Sequence, residues 1–300
     1  MTGLEVILAG IKLEYPLMNA AGTVKTLEDV KKIAPSSTAA IMIGSITVNA
    51  RSGNEGNIYW SSPDFSLNSL GLPNPGSEYY KRHLREMVSI AHDSGKPLFV
   101  SIAGFTRMEY VILSNMALEQ GADLVEWNLG CPNVWDNNQQ KGILSFYPDE
   151  IAELLRSAEY WLTGAPIAAK LSPISNPYQL LEVARTLKRS QVAKVVTAVN
   201  CFPNAIALDD IGRPRTDPGN GLAGLGGKAM LGIGQGQVKQ LRQYLPDLTQ
   251  IIGVGGVSSG RHILDYKRAG ASIVQINTAY SDRGEQIFGE ILTEYVNLID

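Results

Sequence analysis

The sequence predicts a closed (β/α)8 TIM barrel with a small N-terminal β-hairpin and long loops at its C-terminal face. Short apolar or β-branched runs alternate eight times with longer amphipathic stretches, which is how a parallel sheet with covering helices reads. An open, doubly wound sheet needs a glycine-rich fingerprint after its first strand, and Asn19-Ala-Ala-Gly22 is not one. The ends of the predicted strands are rich in Gly, Asn and Ser, as expected where a barrel keeps its site. With 300 residues and 44% hydrophobic content the chain can bury a large core, and residues 1–300 are expected to form a single domain.

Strands are expected at Leu17 to Gly22, Ala39 to Thr47, Leu98 to Gly104, Leu124 to Leu129, Ile167 to Leu171, Val195 to Asn200, Ile251 to Val257 and Ile273 to Thr278. Helical patterns follow them at Thr26 to Ala34, Ser77 to Ser94, Met108 to Gln120, Pro148 to Trp161, Pro177 to Arg189, Gln235 to Tyr244, Ser259 to Ala269 and Glu285 to Leu298. Thr26 with Asp29 three positions on has the form of a capping box, and Gly95, Gly121 and Gly270 stand where a helix end favours a left-handed residue. Ahead of the barrel, Leu4 to Leu8 and Ile11 to Leu13 read as a hairpin placed to plug its bottom. Two connections, Val48 to Pro75 and Phe202 to Gly227, are longer than a turn needs and are candidate binding loops or lids.

The balance of 26 Lys and Arg against 29 Asp and Glu gives a net charge of −3, with no block of like charge. Nucleic acid and anionic membranes are therefore not expected partners. The N-terminus lacks the pattern of a secretory signal and no apolar run is long enough to span a bilayer, so a soluble, cytoplasmic protein is expected. Two cysteines, Cys131 and Cys201, do not make a disulfide framework, and His83, His92 and His262 are not spaced with them as metal ligands.

The chemistry is expected at the strand ends. Cys131 closes the run Leu124-Val-Glu-Trp-Asn-Leu-Gly-Cys-Pro-Asn133, bracketed by Asn128 and Asn133. Free cysteines are often just small buried hydrophobes, but one at a strand end between two amides is placed for reactivity. Gly253-Val-Gly-Gly256, followed by Ser258-Ser-Gly260 and joined by Gly224-Leu-Gly-Gly227, leaves backbone N–H groups unshielded and suits a phosphate. Lys170 is aimed by strand alternation into the barrel mouth. It has three readings: a cation for the edge of a reduced flavin, a salt bridge to a barrel carboxylate such as Glu126, or a Schiff-base lysine.

The motifs Met18-Asn-Ala-Ala-Gly22, Asn68-Ser-Leu-Gly-Leu-Pro-Asn74, Ser101-Ile-Ala-Gly104, Asn128-Leu-Gly-Cys-Pro-Asn133, Lys170-Leu, Val199-Asn200, Gly226-Gly227, Ile251-Ile-Gly-Val-Gly-Gly256 and Gln275-Ile-Asn-Thr278 occur in this order along nearly the whole chain. Together they resemble the dihydroorotate dehydrogenases, most closely the soluble, cysteine-type class 1A branch. The resemblance implies an FMN-dependent barrel that oxidises dihydroorotate to orotate in pyrimidine biosynthesis, with fumarate as electron acceptor and a homodimeric assembly. It makes Cys131 the general base for the C5 proton, while hydride passes to flavin N5. It assigns Asn68, Asn128, Asn133 and Asn200 to the pyrimidine edges, Cys201 to the wall beside the substrate, and the main-chain amides of Leu70, Gly71 and Leu72 to the substrate carboxylate. Ala21, Gly44, Ser45, Asn128, Lys170, Val199, Gly227, Gly255, Gly256, Asn277 and Thr278 fall on positions that hold FMN. Val134 to Phe146 corresponds to a mobile flap over the cysteine.

Departures from the family pattern gather around the substrate. Gly44 stands where the family carries a lysine near the substrate carboxylate. Losing such a charge-assisted contact is worth about 1.5 to 3 kcal/mol, or about ten- to hundredfold in binding. Ala21, Gly130 and Cys201 replace serines, and Asn277 replaces a glycine. Three readings follow: a dihydroorotate dehydrogenase in which Lys25 or Arg51 makes good the missing cation, an FMN oxidoreductase acting on a different carbonyl-conjugated C–C bond, or a non-enzymatic flavin or ligand binder.

Overall fold

A computed structural model describes residues 4–136 and 139–299. Eight parallel strands form one sheet: β1 (Leu17–Asn19), β2 (Ile41–Ile46), β3 (Leu98–Ile102), β4 (Leu124–Asn128), β5 (Ile167–Leu171), β6 (Ala193–Ala198), β7 (Gln250–Val254) and β8 (Ile273–Ile276). Their spatial order is β1-β8-β7-β6-β5-β4-β3-β2, so sequence neighbours are sheet neighbours and only the β1–β2 seam lacks a regular ladder. That seam is closed by a side chain. Asn19, fully buried, donates from Nδ2 to the Met42 carbonyl (2.7 Å) and accepts the Met42 N–H on Oδ1 (2.9 Å), standing in for a backbone pair. Main-chain bonds from Ala39 to Leu17 and from Gly22 to Gly44 (both 2.9 Å) complete the ring.

Helices α1 (Leu27–Ile33), α2 (Ser77–Asp93), α3 (Arg107–Glu119), α4 (Pro148–Leu162), α5 (Pro177–Arg189), α6 (Leu231–Tyr244), α7 (Gly260–Ala269) and α8 (Gln286–Ile299) follow the strands. Their ends obey local chemistry. Thr26 caps α1 in a full capping box with Asp29, and Asn176 caps α5 just ahead of Pro177. Each buries one stripe; on α5 it is Leu180, Val183, Ala184 and Leu187.

Inside the barrel, alternation along the strands builds layers. Met18, Met42, Phe99, Leu124, Ala168, Val195, Ile252 and Ile273 make an apolar floor, and the hairpin Val6–Leu8 with Ile11–Leu13 seals it from below with Leu8 and Leu13. Two residues further along their strands stand Glu126, Lys170, Thr197 and Gln275, a polar layer directly above. The next step is the rim.

The two long connections are not irregular. Tyr59–Ser61 and Ser66–Asn68 from the first pair antiparallel with Phe202–Ala205 and Ala223–Gly226 from the second, giving a four-stranded sheet over the C-terminal face. A further short helix, Thr278–Arg283, follows β8. Among the described residues no helix is long and apolar enough to cross a membrane.

Candidate active site

A cavity of about 540 Å³ lies between the barrel rim and the covering sheet. Cys131 lines it with Asn68, Leu70, Gly71, Leu72, Asn128, Asn133, Asn200 and Cys201. So do Ala21, Ser45, Lys170, Val199, Gly227, Gly255, Gly256, Asn277 and Thr278.

Gly44 is the exception and requires a correction. It is buried in β2, its N–H donates to Val24 and its carbonyl accepts from Gly22 (2.9 Å each), so its main chain belongs to the barrel seam rather than to the cavity. Its φ is +104°, and a Cβ there would lie 2.3 Å from the Ser101 carbonyl oxygen. No lysine fits this backbone. Of the two cations expected to replace one, Lys25 lines the cavity, while Arg51 stands behind its wall.

Gly130 has a similar explanation. β4 ends at Asn128 and the chain turns through Gly130 to present Cys131; a Cβ on Gly130 would lie 2.6 Å from the Ser172 nitrogen. The close approach of the turn to the neighbouring β5 connection leaves no room for a serine.

Two amide networks hold the pocket walls. On the barrel side, Ser101 and Ser45 hydroxyls pair at 2.9 Å, Asn128 Nδ2 donates to Ser45 Oγ (2.9 Å), and Asn200 Nδ2 donates to Asn128 Oδ1 (2.9 Å). On the lid side, Asn133 Nδ2 donates to Asn68 Oδ1 (2.6 Å), Asn133 Oδ1 accepts the Gly224 N–H (3.1 Å), and Asn68 Nδ2 donates to the Cys201 sulfur (3.2 Å). Each amide is held at both its nitrogen and its oxygen, so the hydrogens and lone pairs left over point in defined directions, which suits a planar ligand carrying donors and acceptors.

The Leu70–Leu72 turn is held by its carbonyls. Asn54 N–H donates to Leu70 O (2.9 Å), Arg51 Nε to Gly71 O (3.0 Å) and Asn74 Nδ2 to Leu72 O (2.9 Å). The three N–H groups of the turn have no acceptor among the described residues, and all three residues line the cavity. Oriented main-chain donors of this kind favour a carboxylate.

Lys170 is almost sealed at 6% exposure, with Nζ 3.5 Å from Glu126 Oε1 and donating to Gln275 Oε1 (3.4 Å). Glu126 Oε2 accepts from Thr197 (2.9 Å) and Gln275 (3.2 Å). The salt-bridge reading of this lysine is therefore realised, and the ammonium still reaches the cavity. Low dielectric makes the pair interdependent: each charge is tolerated because the other is there.

At the opposite end, Gly255, Gly256 and Ser258 line the cavity with Gly227 and Thr278, and Lys228 adds a cation. Gly256 has φ +72°, and a Cβ there would lie 2.6 Å from the Leu231 nitrogen, so this bare main chain is specific to glycine.

The Cys131 thiol is pushed up to about 11, mainly by burial, with Cys201 adding to the rise and the Asn133 N–H and the Arg51 charge opposing it. Burial raises Cys201 as well, and its bond from Asn68 and the charge of Lys170 work the other way. The chain by itself thus keeps Cys131 a thiol at neutral pH.

The flap expected over Val134 to Phe146 starts as the short pair Trp135–Asp136 and Gln139–Gln140; residues 137 and 138 lie outside the described residues. Trp135 Nε1 donates to Ser69 Oγ (3.2 Å) and Gln140 Nε2 to the Pro132 carbonyl (2.6 Å), tying it to the wall beside Cys131.

Sequence reasoning missed Asn54, which braces both Asn133 and the anion-binding turn, and the Ser66–Thr278 hydroxyl pair (3.3 Å) between sheet and barrel. Both act across long separations, and neither has a local signature. Gln275 was legible, being two residues before Asn277 on the same strand face.

A family model described as dihydroorotate dehydrogenase matches residues 3–299. A protein of Trypanosoma cruzi named dihydroorotate dehydrogenase (fumarate) is 33% identical over 291 residues, covering 95% of this chain and 89% of its own length. A Trypanosoma brucei brucei protein of the same name is 32% identical over 298 residues, covering 97% and 92%. A solved structure of DHODH in complex with ferulenol from Eimeria tenella superposes with a TM-score of 0.82 at 19% identity, covering 99% of this chain and 84% of that one, a likeness of fold.

Proposed function

The chain belongs to the dihydroorotate dehydrogenase family of oxidoreductases, and we propose that it binds FMN, oxidises dihydroorotate to orotate, and passes the electrons to fumarate. On this reading residues 1–300 act as one FMN-binding domain, in a cytoplasmic homodimer serving pyrimidine synthesis. The single observation that carries it is the company Cys131 keeps: one cavity joins its thiol to three free amides of an anion-binding turn and to the buried ammonium of Lys170.

The residues fit the cofactor. The bare main chain at Gly227, Gly255 and Gly256, with Asn277, Thr278 and Lys228, suits its phosphate. Lys170, Asn128 and Ser45 suit the polar edge of its ring, with Ala21 and Val199 as apolar contacts. When bound, FMN supplies the acceptor for the hydride that leaves substrate C6. Lys170, held by Glu126, would supply a fixed positive charge to stabilise the negative charge the ring gains on reduction.

The remaining roles belong to the chain. The Leu70–Leu72 amides take the carboxylate, doing part of the work a lysine at 44 does elsewhere in the family. Asn68, Asn128, Asn133 and Asn200 hold the ring edges, and Cys131 takes the C5 proton as the C6 hydride departs. The thiol must first lose its own proton, so a bound ligand that brings further donors or displaces water changes its readiness.

Anaerobic mixing of the FMN-loaded protein with dihydroorotate should bleach the flavin. A flavin that stays oxidised over minutes, but is reduced by light, would end the substrate assignment. Cys131→Ala should retain FMN while its reduction slows by about 10² to 10⁴, the usual worth of a positioned base. An unchanged rate in stopped-flow would remove Cys131 from that role.

A further inference from the structure

Cys131 faces the cavity, but the turn that carries it is held from behind, by residues that do not line the cavity at all. Ser145 and Ser172 are fully buried, and Gln237 is nearly so. Ser145, in the short turn Leu144–Phe146 ahead of α4, gives both its N–H and its hydroxyl to the Leu129 carbonyl (2.9 Å each). Ser172, the first residue after β5, donates its hydroxyl to the Gly130 carbonyl (3.1 Å) and its N–H to Ser145 Oγ (3.0 Å). Gln237 on α6 grips Ser172 from the far side: its Nε2 donates to the Ser172 carbonyl (2.9 Å), and its Oε1 accepts the Ile174 N–H (2.7 Å).

The Gly130 carbonyl and the Cys131 N–H belong to one rigid peptide plane, whose tilt sets the direction in which the cysteine side chain leaves the turn. A glycine at 130 lets that plane swing. No side chain fits there to stiffen it, because a Cβ would lie 2.6 Å from the Ser172 nitrogen and 3.1 Å from Ser172 Oγ. The hydroxyl of Ser172 thus stands beside the space that a side chain at 130 would need, and bonds the carbonyl instead.

We propose that Ser172 and Ser145, anchored by Gln237, are positioning residues for Cys131: they fix the peptide that aims its sulfur into the cavity. For the reaction this rests on the reading of Cys131 as base given above; for the aim of the thiol it does not. Without the two hydroxyls the Gly130 carbonyl loses its donor and Leu129 one of two, and a buried carbonyl left unpaired turns toward whatever donor or water it can reach. The peptide turns with it. A reacting group misplaced by about 1 Å can lose about 10² in rate, so even a small swing is felt in the chemistry.

Ser172→Ala and Ser145→Ala remove the hydroxyls and leave the turn's own sequence intact. Thr38→Val is the control, since Thr38 is also fully buried and bonds Ala40 O (2.7 Å) and Asn19 N (3.2 Å), but at the start of β2, the opposite end of the barrel. The first readout needs no substrate: iodoacetamide labelling of the FMN-loaded protein, followed by peptide mass spectrometry. Either serine variant should label Cys131 faster by about fivefold or more, because the half-buried thiol moves further into the open, while Cys201 keeps its rate. Thr38→Val should match the wild type at both. The second readout is anaerobic stopped-flow with dihydroorotate, where flavin reduction should slow by about tenfold or more in each serine variant. The double variant should be about as slow as the slower single one, as two links of one brace require. Unchanged Cys131 labelling in both serine variants, an equal change in Thr38→Val, or fully additive slowing in the double variant overturns the brace. A wild-type flavin that dihydroorotate does not reduce overturns the substrate assignment, and the labelling still decides the brace.

Discussion

On the barrel side of the cavity, Glu126, Lys170, Thr197 and Gln275 bond to one another inside a layer almost closed to water. On the lid side, Asn68 and Cys201 are half-buried and join elements from two distant connections. The barrel network carries a charge that must be right whether or not ligand is present, and sealing it raises the cost of any missing partner. The lid network is neutral and partly wetted, so each bond is worth little alone and the wall can adapt. One side sets the electrostatics of the site; the other sets which ligand fits.

Three measurements test this contrast. Glu126→Ala strands the Lys170 ammonium and should cost about 3–5 kcal/mol in urea unfolding of the FMN-loaded protein. A loss below about 1 kcal/mol would mean water reaches this layer. Next is pH. Because burial pushes Cys131 up to about 11, the thiolate fraction grows about tenfold per unit from pH 6 to 9, and kcat/KM should rise with it, levelling only near the raised value. A plateau below pH 7 would show that the free enzyme already holds a thiolate. The smallest effect is expected on the lid, where Asn68→Ala removes neutral bonds to Cys201, Gly224 and Asn133 and should cost about 1 kcal/mol of stability. A cost equal to that of Glu126→Ala would erase the distinction between the two walls.

Much of the site was legible because it sits at strand ends. Once Leu124–Asn128 is a strand, alternation puts Glu126 and Asn128 on the inner face and the following turn delivers Cys131 to the rim. The same logic exposes Lys170 and Gln275. At Gly44 the sequence shows that a lysine is absent but not why: the positive φ and the nearby Ser101 carbonyl leave no room for a side chain. The covering sheet was hidden because its strands are three or four residues long and its two halves join only where Ser66–Asn68 pairs with Ala223–Gly226, far apart in the chain and beyond any local pattern.

By itself the sequence determined the eightfold alternation, the helix caps and the residues lifted to the barrel rim, since periodicity and capping act over a few neighbouring positions. Only the tertiary structure decided that Glu126 answers Lys170, that the Leu70–Leu72 amides are left free, and that Cys131 is too buried to ionise readily. These depend on desolvation and on partners brought from far along the chain, and neither is written in any local stretch of residues.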